Sequence, residues 1–318
     1  MLCGFLGLQT LDREFEVVIA GGGIAGLTAG LVSARLGRKT LVLTGDVLGG
    51  LLLSIEKIEG FPGFPDGIPG YELCPMTQEQ AIAAGTEFET TNLERLERKD
   101  GKWRVTTGKG DIVARTVILA TGSTLKELGV PGEARLRGKG VSHCASCDAP
   151  LLRNQSVAVV GGGDSAMQEA LKIAEFASRV TILQRGGTLS AQAVYRDRAI
   201  KHPKIEIRFN TIVKEVLGDS KVNGVRSCDT TNSATTDLDV AAVFVYIGLQ
   251  PSTAFLKGQM NRGPSEQIPT NSWMQTELPG VYAAGTLRSG SPGRAVGSAG
   301  EGATAAVAAD RYLTDGIW

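Results

Sequence analysis

Cys144-Ala145-Ser146-Cys147-Asp148 is the stretch of this chain whose residue types and spacing do specific chemistry. Two thiols separated by two residues can close a small disulfide ring, and the motif favours a thiolate on one of them near neutral pH. Asp148 follows directly and offers a carboxyl group for proton transfer. The competing use of Cys-x-x-Cys is half of a zinc site. That use needs two more ligands, and Cys3, Cys74, Cys228, His143 and His202 show no second paired spacing, so no metal is expected. Cys3, Cys74 and Cys228 read as small hydrophobes. His143 reads either as a proton relay or, preferably, as a neutral residue held near the domain surface.

A glycine-rich loop is the second chemical feature. In Gly21-x-Gly23-x-x-Gly26 the glycines permit a tight turn and close backbone approach, and Ile24 and Ala25 open a helix whose free N–H groups suit a pyrophosphate. A bound dinucleotide is expected there. Thr44 stands where an acid commonly holds the adenosine ribose, and its hydroxyl can donate or accept. A second loop, Gly161-x-Gly163-Asp164-Ser165-Ala166, repeats the pattern.

The elements that must carry these loops follow from the repetition. Val17 to Gly26 returns as Val157 to Ala166, each a β-branched run, a glycine turn and a helical pattern, which is the first half of a βαβ unit. Apolar strands follow at Thr40–Thr44 and Val180–Leu183. Glu94 to Val105 alternates about Asp100-Gly101 and predicts a β-hairpin. Strands at Val117–Ser123 and Val243–Gly248 close the two folds. The run Gly280–Gly285 and the helical pattern Ala303–Tyr312 are too short for a third domain and complete the first. The expectation is an α/β chain of two Rossmann-like, three-layer ββα dinucleotide-binding domains, the second inserted into the first. The boundaries are 1–122 with 249–318, and 123–248.

Composition narrows the partners. The 318 residues carry 33 Lys+Arg and 33 Asp+Glu, so no global field draws the protein to nucleic acid or an anionic membrane. Met1–Leu11 is apolar but short and lacks a basic flank, no later run is long enough to span a bilayer, and five cysteines suit a reducing compartment. A cytoplasmic protein is expected.

These motifs, in this order and spacing, resemble the low-molecular-weight bacterial thioredoxin reductases over essentially the whole chain. The matching pieces are Gly21–Gly26, Thr44-Gly45, Gly49-Gly50, Phe61-Pro62-Gly63, Ala120-Thr121-Gly122, Cys144–Asp148, Gly161–Ala166, Ile247-Gly248 and Pro279–Gly285. The resemblance implies FAD on the discontinuous domain. Its binding positions would be Gly21, Gly23, Ile24, Ala25, Gly26, Thr44, Gly45, Gly50, Leu51, Ala120, Thr121, Gly122, Gly285, Thr286, Arg294, Ala295 and Val296. It further implies that Cys147 faces the flavin, Cys144 attacks the substrate disulfide and Asp148 shuttles the proton. The substrate would be a thioredoxin-like protein or a small disulfide, and the enzyme a homodimer.

Departures from the family cluster at the cofactor sites. The arginines that receive the 2′-phosphate of NADPH are reduced to Arg185, in Gln184-Arg185-Gly186, with Ser190 at the later position. Each lost charge-assisted hydrogen bond is worth about 1.5–3 kcal/mol, so NADPH is doubtful. Gln184 supplies no acid for NADH, and the second loop could cradle another dinucleotide, a second flavin included. Around the flavin, the family's Gly-Gly-Gln-Leu is Gly49-Gly50-Leu51-Leu52, its Gly-Asp is Gly285-Thr286 and its Arg-Gln-Ala is Arg294-Ala295-Val296, so several polar contacts are gone. The changes look like the family members that draw electrons from ferredoxin or another flavin. An ordinary NADPH-dependent reductase, an oxygen-dependent dithiol oxidase and a non-enzymatic flavin-binding sensor are the rival readings. Arg196–Lys204 reads as a solvated helix face, Trp103 and Trp273 as packing residues, and Trp318 as a flavin cover or a loose terminus.

Overall fold

A computed structural model describes residues 13–318; Cys3 and the stretch Met1–Leu11 lie outside the described residues. Two compact units result, one from the chain up to Thr124 together with Pro251–Trp318, the other Leu125–Gln250. The boundaries at 122 and 248 each fall two residues short of these cuts.

In the discontinuous unit, strand Arg13–Ala20 runs parallel between Thr40–Leu43 and Gly110–Leu119, and Glu87–Glu89 extends the sheet beyond Thr40–Leu43. Val281–Ala283 pairs in parallel with the C-terminal half of Gly110–Leu119 and so completes the sheet from the far end of the chain. The central runs are apolar because both faces are covered. Val18, Ala20, Leu41, Leu43, Val117 and Leu119 face one core with Leu96, Trp103 and Val105 of the antiparallel layer. Val17, Ile19, Val42, Ile118 and Tyr282 face the other, against Ala25, Ala29, Ala305 and Ala309 of the helices Ile24–Arg35 and Ala295–Asp315.

Several sequence expectations are corrected in detail. The strand expected at Val117–Ser123 begins at Gly110 and lies inside the sheet, because its first half also pairs antiparallel with Lys102–Thr107. The hairpin joins Leu93–Lys99 to Lys102–Thr107 through Asp100 and Gly101, both with positive φ (49° and 77°), as a tight two-residue turn requires. The last helix is longer than its Ala303–Tyr312 core pattern, since small residues continue it over Ala295–Asp315. Trp103 is buried, its Nε1 donating to the Pro279 carbonyl at 3.3 Å. Trp273 instead is 43% exposed, with the Arg311 guanidinium 4.3 Å from its ring centre. Trp318 stacks edge-on against Tyr282 and Tyr312.

The continuous unit holds a five-stranded parallel sheet in the order Ile205–Arg208, Arg179–Leu183, Ser156–Val160, Ala242–Val245, Val141–Ser142. A three-stranded antiparallel sheet, Thr211–Leu217, Gly224–Asp229 and Thr235–Leu238, accompanies it. The strand expected over Val243–Gly248 ends at Val245. Of the basic stretch Arg196–Lys204, the part up to Lys201 lies on helix Ala193–Lys201, with Arg198 and Lys201 exposed in its last turn, whereas Lys204 follows the helix and its Nζ donates to the Ala174 carbonyl at 2.9 Å. Among the described residues no helix is long and apolar enough to cross a membrane.

Candidate active site

Cys144 and Cys147 are joined in a disulfide, with their Cα atoms 5.4 Å apart. Strand Val141–Ser142 delivers them. Ser142 Oγ accepts from the Cys144 amide at 3.1 Å, and Cys144 then caps the short helix Ala145–Asp148, its Sγ accepting from the Cys147 amide at 3.3 Å. Cys147 is exposed, while Cys144 and Asp148 are half-buried. Ala145 and Ala149 seat this turn on the core of the continuous unit, where Tyr246 joins them. Burial, aided by the charges of Glu169 and Asp148, pushes the Tyr246 phenol far above its ordinary range, so it stays protonated. His143 is half-buried, and its Nε2 is enclosed without a hydrogen-bond partner. Cys74 is fully buried, in accord with a small hydrophobe, and Cys228 is half-buried on its strand.

The first glycine loop, Thr44-Gly45, Ala120–Gly122 and Gly285-Thr286 follow the C-terminal ends of parallel strands in the discontinuous unit. A Cβ on Gly21 would lie 2.1 Å from the Ala120 carbonyl oxygen, and one on Gly26 would lie 1.9 Å from that of Gly21, so both positions require glycine. Gly23 has nothing within 4 Å on its side-chain face. It caps helix Ile24–Arg35, whose first turn has neither a capping side chain nor an acid. An open, uncapped helix start above a glycine cradle fits the pyrophosphate of FAD. Thr44 is buried and its hydroxyl donates to the Gly45 carbonyl at 2.9 Å, which leaves its lone pairs for a ribose hydroxyl. The Gly49 amide donates to the Gly22 carbonyl at 2.8 Å and brings Gly50 over Gly23, with Leu51 exposed beside it.

Thr121 donates to the Ser252 carbonyl, Gly122 takes φ +66°, and Ser123 donates to the Thr286 hydroxyl at 2.9 Å. Gly285 is held against Ala25, while Arg294 precedes helix Ala295–Asp315 and Val296 is exposed in its first turn.

The second glycine loop has the same backbone and a different electrostatic setting. A Cβ on Gly161 would strike the Tyr246 carbonyl, as at Gly21. Yet Asp164 occupies the first turn of helix Asp164–Ala174, its carboxylate accepting from the Gln192 amide at 2.7 Å and Nε2 at 2.6 Å. The Gln184 side chain covers Gly162 and is tied to the Thr188 carbonyl, Ser165, Arg185 and Ser190 are exposed, and Ala166 is buried.

Sequence reasoning missed Gly302, which approaches the Ala25 carbonyl of the first cradle, and next to it Glu301, which pairs with Arg288. Ser298, Glu301, Gly302, Ala305 and Ala309 form one buried helical stripe, and an acid within such a stripe is the signal that could have found Glu301.

Two dinucleotide-type folds, one interrupted by the other and the inserted one bearing a disulfide beside an acid, define a flavoprotein disulfide oxidoreductase. Residues 15–302 match the family Pyridine nucleotide-disulphide oxidoreductase. The thioredoxin reductase of Treponema pallidum is 36% identical over 303 residues, covering 95% of this chain and 98% of that one. The crystal structure of Lactococcus lactis thioredoxin reductase superposes with a TM-score of 0.91 at 33% identity, covering 95% of this chain and 99% of that one. A ferredoxin-flavin thioredoxin reductase from Clostridium acetobutylicum is 28% identical with a TM-score of 0.52, over 95% of this chain and 99% of that one. The chain belongs to the thioredoxin reductase family, and it is an FAD-type disulfide oxidoreductase.

Proposed function

We propose that this enzyme reduces the disulfide of a thioredoxin-like protein or a small molecule with electrons from a donor other than NADPH, either ferredoxin or a second flavin. The observation that carries the reading is the charge at the second glycine loop. A 2′-phosphate brings nearly two negative charges, and the positions that would receive it offer Arg185 alone, with Gly186 and Ser190 beside it. Asp164 stands in the first turn of this helix, its carboxylate taken up by Gln192. The first loop has no such acid. The name of the clostridial relative supports ferredoxin as a donor class.

Bound FAD supplies the two-electron carrier between donor and disulfide. The residues of this chain do the rest. The discontinuous unit holds the cofactor through Gly21, Gly23 and Gly26. Reduction of the disulfide frees two thiols, and the Cys147 amide favours a thiolate on Cys144, which attacks the substrate disulfide. Cys147 then displaces the reduced substrate from the mixed disulfide, and Asp148 passes the proton to the departing sulfur. Anaerobic stopped-flow mixing tests the donor. Slow flavin bleaching by NADPH and NADH, with fast bleaching by reduced ferredoxin or reduced free flavin, is expected; rapid saturable bleaching by micromolar NADPH overturns the reading.

A further inference from the structure

Glu301 is 7% exposed, on a helix whose other buried positions are Ser, Gly, Ala and Leu. Its carboxylate accepts from the Gly285 amide at 2.7 Å and from Ser291 Oγ at 3.2 Å, and it faces Arg288 Nη2 at 3.1 Å. All three partners lie between 285 and 291, the segment that leaves the last strand of the first sheet. Arg288 is equally committed, its Nη1 donating to Thr270 Oγ1 at 3.1 Å and to the Ser289 carbonyl at 2.7 Å. The pair also leaves polar atoms unsatisfied, since Arg288 Nε and Glu301 Oε1 are buried without a hydrogen bond of good geometry.

A buried ion pair with unsatisfied atoms is a poor stability device, because desolvating two charges costs as much as their attraction returns. Its position gives it another use. Gly302, next to Glu301, meets the first cradle directly, for a Cβ there would lie 2.1 Å from the Ala25 carbonyl oxygen. Gly285, which Glu301 holds, takes φ +85° with its side-chain face 3.2 Å from Ala25 Cβ. Glu301 therefore stands one residue from a direct contact with the loop that fits the pyrophosphate, and Arg288 is tied to that place through Glu301. Position 286, an acid in the family this chain resembles, is the uncharged Thr286.

We propose that Arg288 and Glu301 are positioning residues that hold the Gly285–Thr286 turn and set, as a balanced pair, the charge felt by bound flavin. The proposal rests on the reading that FAD occupies the discontinuous unit. Removing one partner leaves the other as an uncompensated charge in a low-dielectric setting, so the two single variants act in opposite directions. Arg288→Met leaves a carboxylate, which disfavours the more negative reduced flavin. Glu301→Gln leaves a guanidinium, which favours it.

The test is the flavin midpoint potential of each purified holoprotein, with the dissociation constant of FAD measured alongside. Each single variant should change the relative affinity for reduced over oxidised flavin by about tenfold, ~30 mV for a two-electron couple, Arg288→Met downward and Glu301→Gln upward. The double variant should return towards wild type, and Arg288→Lys, which keeps the charge, should stay close to it. Shifts of the same sign in both single variants, or none while FAD remains fully bound, overturn the proposal, because a merely structural pair would loosen FAD without opposite potentials. Should Glu301→Gln fail to fold, Arg288→Met against Arg288→Lys carries the same comparison. A wild-type protein that binds no FAD refutes the parent reading instead.

Discussion

The amide of Cys147 donates to Sγ of Cys144 across 3.3 Å, although Cys147 is the more exposed of the two residues. Exposure and electrostatics therefore make opposite predictions about which thiol reacts first. A hydrogen bond to a charged group is worth about 1.5 kcal/mol or more, roughly tenfold in thiolate population. With substoichiometric iodoacetamide at neutral pH, the anaerobically reduced protein should label Cys144 about tenfold over Cys147 by peptide mass mapping. Preferential labelling of Cys147 would reverse the assigned roles.

Gly26 and Gly23 separate folding from cofactor binding. A methyl group at Gly26 meets the Gly21 carbonyl at 1.9 Å, whereas one at Gly23 meets only open space. Gly26→Ala should lower the melting temperature of the apoprotein and abolish FAD retention. Gly23→Ala should leave the apoprotein melt unchanged and weaken FAD by about tenfold or more, through crowding of the phosphate. Equal effects on both measurements in both variants would contradict a cradle at Gly23.

Burial pushes the Cys74 thiol up to about 11 from 9.0, and the thiol lies 3.7 Å from the Gly49 carbonyl. A raised folded value stabilises the protein fully below the unfolded value and is lost as pH rises through the folded one. Cys74 should resist Ellman's reagent at pH 8 until denaturant is added. Stability should fall between pH 9 and 11, and less steeply in Cys74→Ala. Rapid native-state labelling of Cys74 would show that its pocket opens.

Burial would raise the Glu16 carboxyl, but the Lys39 amide and the Arg38 and Arg115 guanidinium groups outweigh it and hold it below 4.5. A depressed folded value stabilises the protein above the unfolded value, and that contribution fades as pH falls through the folded one. Glu16→Gln should cost stability at pH 7 and lose less between pH 5 and 3 than wild type, as thermal melts across that range would record. Parallel curves would deny Glu16 any part in the acid response.

Contiguous features of the chain are legible in its sequence. Strand, glycine turn and helix are adjacent at Val17–Gly26 and again at Val157–Ala166, and local sterics with period-two burial are enough to specify them. Cys144 and Cys147 share one turn, so their bonding needs no long-range information. The interrupted α/β architecture followed from the repeat and from the leftover run Gly280–Gly285, which finds its partner in Gly110–Leu119.

What spans the chain was decided only in three dimensions. No local pattern ties Glu301 to Gly285, Gly302 to the Ala25 carbonyl, or Ser123 to Thr286, since each pair joins at least 16 positions of separation. Trp273 illustrates the same limit, because its type suggests a core and the turn at Asn271 leaves it half in solvent against Arg311. By itself the sequence determined which chemistry the chain carries, a disulfide and glycine loops, because those depend on residues that are neighbours along the backbone. Tertiary structure alone decided which buried charges stand beside the loops, because packing of distant segments and the dielectric they create set that environment.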